Sequence, residues 1–179
     1  MAPDSDSFVQ IQRELLHERF TDFERGVLQD NIVMCDAKSG VLLAFAGAMV
    51  IFSVDTFANL HQPAAGTWLK FAANALFLAA ALGFLVSCHF SLTTVAPRLY
   101  RGRQDHIFWE APVFRLPVEA YVEQMEALDA STEHREKLRH LHMLAGICRT
   151  KFGHFQLAIR FGQAGFLLLV LAELARIVA

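Results

Sequence analysis

Four charged residues fall where polar sequence meets long apolar runs: Asp36, Lys38, Arg98 and Lys151. On a helix Asp36 and Lys38 stand about 200° apart, so they cannot pair with each other. Lys38 shares its stripe with Asn31, Cys35 and Phe45, whereas Asp36 faces the side of Ile32, Gly40 and Leu43. Lys151 lies on the stripe of Leu144, Ile147 and Cys148, the apolar face of its helix. An unpaired ion there costs several kcal/mol, so the spacing calls for a partner. Asp36 can serve Lys151 or Arg98. Two chemistries fit this set. One is a structural interface in which Asp36, Lys38, Arg98 and Lys151 form interhelical ion pairs and set helix register, with long side chains snorkelling to headgroups. The other is an anion pocket: Lys38, Arg98 and Lys151 face inward, Asn31 hydrogen-bonds, and a small phosphate-bearing ligand competes with Asp36 for the cations. Arg98, Arg101 and Arg103, followed by His106 and Phe108–Trp109, also place bases beside aromatics. That cluster suits anchoring to anionic lipid, or nucleotide stacking in which Arg101 joins the phosphate-binding residues.

Other chemistries find no residues to carry them. GxSxG, Walker A, GxGxxG and Cys–His–Asp patterns are missing, so no enzyme is expected. His140 and His142 point apart on a helix, and with His134 they make no metal site. Cys35, Cys88 and Cys148 are an odd set at long spacing, read as reduced thiols packed as small hydrophobes. A net charge of −2 argues against wrapping a nucleic-acid polymer. No cofactor is implied by these residues.

The elements that must position the charges are helices in lipid. The chain has 179 residues, 54% of them hydrophobic, and a mean hydropathy of +0.34, too apolar for an ordinary soluble domain. Crossing the hydrocarbon takes about 20 apolar residues. Three blocks qualify: 39–57, 68–92 and 155–178, the last with Arg160 near its start. Met1–Ser7 is acidic and polar rather than a signal-peptide start, so the first span is expected to direct insertion. Arg13, Arg19, Arg25 and Lys38 precede the first span, and nine Lys or Arg separate the second from the third, while the turn Ala58–Thr67 has none. This places the N-terminus and the long connector in the cytoplasm and the C-terminus outside.

Between the spans the pattern is amphipathic helix. Residues 8–36 carry Phe8, Ile11, Leu15, Phe20, Phe23 and Val27 on one face, and no proline separates them from the first span. The segment 96–154 is a cytoplasmic connector with helices. Pro117 fits the first helical position of one of them, whose apolar face is Val118, Tyr121, Val122, Met125 and Leu128. Asp129 to Thr132 breaks that helix and caps the next, which runs through Leu138, Leu141, Leu144 and Ile147 into the third span. Gly40, Ala44 and Ala48 make one face of small residues, and Ala158 and Gly162 make another, each suited to close packing within a chain or between copies. The fold expected is an all-α membrane protein of one domain over 1–179: three transmembrane helices with a cytoplasmic amphipathic helical bundle.

Asn31–x4–Asp36–Ala37–Lys38–Ser39 leading into a span, Ala96–Pro97–Arg98 after the second, Ile107–Phe108–Trp109, Tyr121, and Lys151–Phe152 at the third resemble the small transmembrane effectors of Pycsar antiphage systems. The likeness runs from about residue 10 to 178, with Ser39 and Phe152 where Ala and Tyr are more usual. It implies a bacterial inner-membrane protein encoded beside a pyrimidine cyclase. Cyclic UMP or cyclic CMP made on infection would activate it, and it would impair the membrane and kill the infected cell. The implied partners are the lipid bilayer, the cyclic nucleotide and further copies in a homo-oligomer. Related effectors answer cyclic oligonucleotides, which keeps that messenger open. A constitutive membrane scaffold without a ligand is the alternative from the residues alone.

Overall fold

The computed structural model describes residues 5–60, 68–96 and 117–178, and all the regular structure among them is helical. Helix α1 spans Ser5–Leu60, α2 Trp68–Val95, α3 Val118–Glu126 and α4 Ala130–Val178. By length and composition α1, α2 and α4 can each cross a membrane. No proline interrupts α1 or α4, which is why each continues unbroken from charged into apolar sequence. The chain divides into two compact units, Met1–Ile32 with Pro97–Cys148, and Val33–Ala96 with Arg149–Ala179.

In the first, charged unit, Leu144, Cys148, Thr21 and Glu136 are buried. The apolar stripe expected of the N-terminal helix is turned outward instead: Leu15, Phe20, Phe23 and Val27 are all exposed. Polar contacts take that place. Lys137 of α4 bonds Glu18 of α1 and Glu133 on its own helix, both at 2.9 Å. Leu138 and Val118 are likewise exposed, whereas Tyr121 and Met125 are half-buried. Pro117 is the N-cap of α3 rather than its first helical residue. Its ψ of 151° is extended, so the helix starts at Val118. Asp129 caps α4, accepting from the Thr132 amide at 3.1 Å and from the Ser131 hydroxyl at 2.7 Å. Those bonds hold its carboxyl below the ordinary 3.8.

The second, apolar unit is built on seams of 3.5-residue period. Ala73, Phe77, Ala80, Phe84, Ser87, Ser91 and Thr94 of α2 are buried in alternating steps of four and three, with Ala81 buried beside Ala80. On α1 the buried positions are Cys35, Ser39, Ala46, Ser53 and Thr56, and on α4 Lys151, Ala158, Gly162, Gly165, Leu169 and Ala172. Such spacing is that of helices packed as in left-handed coiled coils. Phe77, Phe84, Ala46, Ala80, Leu169 and Ala172 form the hydrophobic cluster.

Close approach is paid for by glycine at one crossing. A Cβ on Gly83 would lie 3.1 Å from the Cα of Gly165, and one on Gly165 would lie 3.2 Å from the Ala80 carbonyl. Backbone cannot move aside as a side chain does. Of the two small-residue faces expected, Ala158 and Gly162 are packed in this unit, while Gly40, Ala44 and Ala48 are exposed. Buried hydroxyls satisfy themselves on backbone: Ser53 on Met49 O, Thr56 on Phe52 O and Ser87 across to Ala158 O, at 2.7, 2.8 and 2.8 Å.

Two predictions follow from packing and charge. Gly83→Ala lowers thermal stability in detergent by about 1–3 kcal/mol, whereas Gly40→Ala, which meets nothing within 4 Å, leaves it unchanged or higher. The ion pairs push Lys137 up to about 12 and hold Glu18 below 4.5, mainly through their mutual hydrogen bond in the Glu18 case and through Glu133 and then Glu18 for the lysine. Stability from the raised lysine is complete below pH 10.5 and lost as pH climbs through about 12. That from Glu18 is present above 4.5 and lost as pH falls through its lowered value. Melting curves of wild type and Lys137→Met therefore differ by a small constant gap at neutral pH that closes in acid.

Candidate functional site

The charges singled out in the sequence meet the structure unequally. Lys151 is 4% exposed and lies on the buried seam of α4, in register with Ala158 one heptad further on. Its ammonium donates to Asp36 Oδ1 of α1 at 2.5 Å and to the Thr94 carbonyl of α2 at 2.8 Å. One nitrogen thus ties all three helices of the apolar unit. Each partner is there for a local reason. Thr94 is one residue from the end of α2, where the last carbonyls lack intrahelical donors and carry the negative end of the helix dipole. Asp36 follows Cys35 of the α1 seam, so its carboxylate reaches the ammonium while its side chain stays 32% exposed.

A polar layer continues from that point into the bundle. Thr93 and His154 share a hydrogen bond at 3.1 Å, with the ring of His154 tilted against Phe90. Ser39 and Ser91 are fully buried, and their hydroxyls have no partner among the described residues. Next come the Ser87–Ala158 bond and the Cys88 thiol, 3.9 Å from the Leu43 carbonyl. Beyond these the seam turns apolar at Ala46 and Phe84. Sequence reasoning missed this hydroxyl layer, although the 4–3 spacing of Ser87, Ser91 and Thr94 with Phe84 was a signal that could have revealed it.

Lys38 is exposed on α1, although Cys35 on the same nominal stripe is buried. Asn31 is half-buried and belongs to the charged unit. Arg98 and Arg101 lie outside the described residues, as do Arg103, His106 and the Phe108–Trp109 pair. Among the described residues Cys35, Cys88 and Cys148 form no disulfide, and no group of His, Cys, Asp and Glu could hold a metal ion. At the far end of α4, Glu173 and Arg176 pair at 2.7 Å.

Three membrane-length helices, joined at one end by a buried ammonium and packed on small and hydroxyl-bearing residues, define a helical membrane protein. Residues 22–176 match the Pycsar effector protein domain, and the chain belongs to that family. Membership supports a role in the Pycsar antiphage system, and the family is one of membrane effectors rather than a known class of enzyme. No curated protein and no solved structure matches the chain.

The clasp makes an asymmetric prediction. Asp36→Ala strands a buried cation and costs roughly 3 kcal/mol, the low end for breaking a buried pair because the carboxylate is partly solvated. Lys151→Met leaves only a half-exposed carboxylate and costs less. Adding Lys151→Met to Asp36→Ala recovers most of the loss in a thermal melt, and a double variant as unstable as Asp36→Ala alone would contradict this account.

Proposed function

We propose that the protein is the membrane effector of an antiphage system, activated by a cyclic pyrimidine mononucleotide to impair the bacterial inner membrane and kill the infected cell. The observation that carries this reading is the family match over residues 22–176. Three apolar helices of membrane length support the membrane action. In this reading the N-terminus and the 96–154 connector are cytoplasmic, the C-terminus is outside, and the chain works as a homo-oligomer.

Asn31, Lys38, Arg98, Arg101 and Lys151 are the residues proposed to hold the nucleotide phosphate. The clasp supports including Lys151: its cation is balanced by a single carboxylate that solvent reaches, so an incoming phosphate competes with Asp36 for it. Displacing Asp36 would release α1 from the other two helices, which is a physical route from binding to rearrangement in the bilayer. A second reading is favoured by the same geometry. Lys151 is already well bonded, and a constitutive scaffold would need it as a structural clasp alone.

Purified protein in detergent is expected to gain thermal stability with cyclic UMP or cyclic CMP. Stabilisation by a cyclic oligonucleotide instead would reassign the messenger, and no shift with any cyclic nucleotide would leave the scaffold reading. In cells, messenger synthesis should depolarise the membrane only when the effector is present. Lys38→Ala and Arg98→Ala at normal expression should abolish that response if they bind the phosphate.

A further inference from the structure

The outer face of α4 carries a second 3.5-period seam, away from the buried one. It consists of Gln156, Arg160, Gln163, Leu167, Val170 and Leu174, again in steps of four and three, and all six are exposed. Leu167, Val170 and Leu174 are 64%, 41% and 55% exposed, as suits a lipid-facing surface. Gln163 does not suit it. Eight residues beyond Phe155, it lies about 12 Å down the helix, near the middle of a hydrocarbon layer about 30 Å thick.

Its neighbours on the stripe have ways out that it lacks. Gln156 is at the start of the span, and the long side chain of Arg160 can reach headgroups. The glutamine side chain is too short to do so, and its amide has no hydrogen-bond partner among the described residues. It lines the rim of a groove of about 550 Å³ between α1 and α4, formed with Leu42, Phe45, Ile159, Gly162 and Phe166. No water is available at that depth to satisfy two N–H donors and a carbonyl.

We infer that this face of α4 seats a second copy of the chain, with Gln163 paired to Gln163 of the other copy. The occupant follows from symmetry. Copies inserted in the same direction meet each other at equal depth. At the level of Gln163, marked by its neighbour Gly162 against Ser87 and Leu42, the Ser87 hydroxyl is committed to the Ala158 carbonyl. The exposed side chains nearest that level, Phe45, Leu85 and Phe166, are apolar, and the exposed His89 lies one helical turn from Leu85 toward the Lys151 end. What a second copy brings is its own Gln163, and a carboxamide is self-complementary, donating and accepting at once. A single polar residue in an otherwise apolar seam also sets the register of two helices. Leu167, Val170 and Leu174 then pack below it, with the groove taking side chains of the partner helix.

This inference names the surface for the self-association included in the proposed function, but it is read without any messenger. Full-length protein carrying Leu167→Cys or Val170→Cys, oxidised in native membranes, should form disulfide-linked dimers, and Leu82→Cys on the exposed face of α2 should not. In bilayers, Gln163→Leu should weaken self-association three- to tenfold as measured by energy transfer between labelled copies, with Gln163→Asn keeping most of it. A monomer in bilayers, the result if acyl chains fill the groove, would overturn the inference. So would Gln163→Leu associating like wild type, or crosslinking at Leu82→Cys but not on α4. Crosslinking on α4 in a protein that never answers a cyclic nucleotide would uphold this surface and remove the signalling role instead.

Discussion

An ammonium group almost out of reach of water has to be balanced where it stands. Lys151 occupies a seam position of α4 that elsewhere holds Ala158, Gly165 or Leu169, so nothing on its own helix can serve it. The balance comes from α1 as a carboxylate and from α2 as a terminal carbonyl. Three helices are therefore brought to a common level by a requirement of charge, not by shape. Apolar side chains could slide past one another by a turn at modest cost. A buried cation cannot, because each register but one would leave it unpaired.

Below that level the packing is governed by size. Glycine faces glycine between α2 and α4, and serine or threonine hydroxyls close onto carbonyls of their own or a neighbouring helix. In lipid the hydrophobic effect does not drive helices together, so close backbone contact and satisfied polar groups have to. Ser39 and Ser91 depart from that rule, both buried and both without a partner among the described residues one helical turn from the clasp.

The charged unit is organised differently. Its described contacts include ion pairs at or near the surface, such as Glu18 with Lys137, and exposed pairs of this kind contribute little. Meanwhile Phe20 and Phe23 lie open.

The sequence by itself determined which helices are long and apolar enough to cross a membrane. Uninterrupted apolar runs of span length, the absence of proline from Ser5 to Leu60 and from Ala130 to Val178, and the cap at Asp129 are local facts, and local physics decides them. It also showed that Lys151 on an apolar stripe needed a partner and that Asp36 could be one. It did not show which face of each helix would turn inward. A stripe of Leu15, Phe20, Phe23 and Val27 reads as a core-facing surface, yet it is exposed, and the small-residue face at Gly40 is exposed as well. In an apolar helix every face is hydrophobic enough to be buried, so hydropathy cannot choose among them. Tertiary structure decided it, through steric fit at Gly83 and Gly165 and through the meeting of an ammonium, a carboxylate and a helix end at Lys151, Asp36 and Thr94.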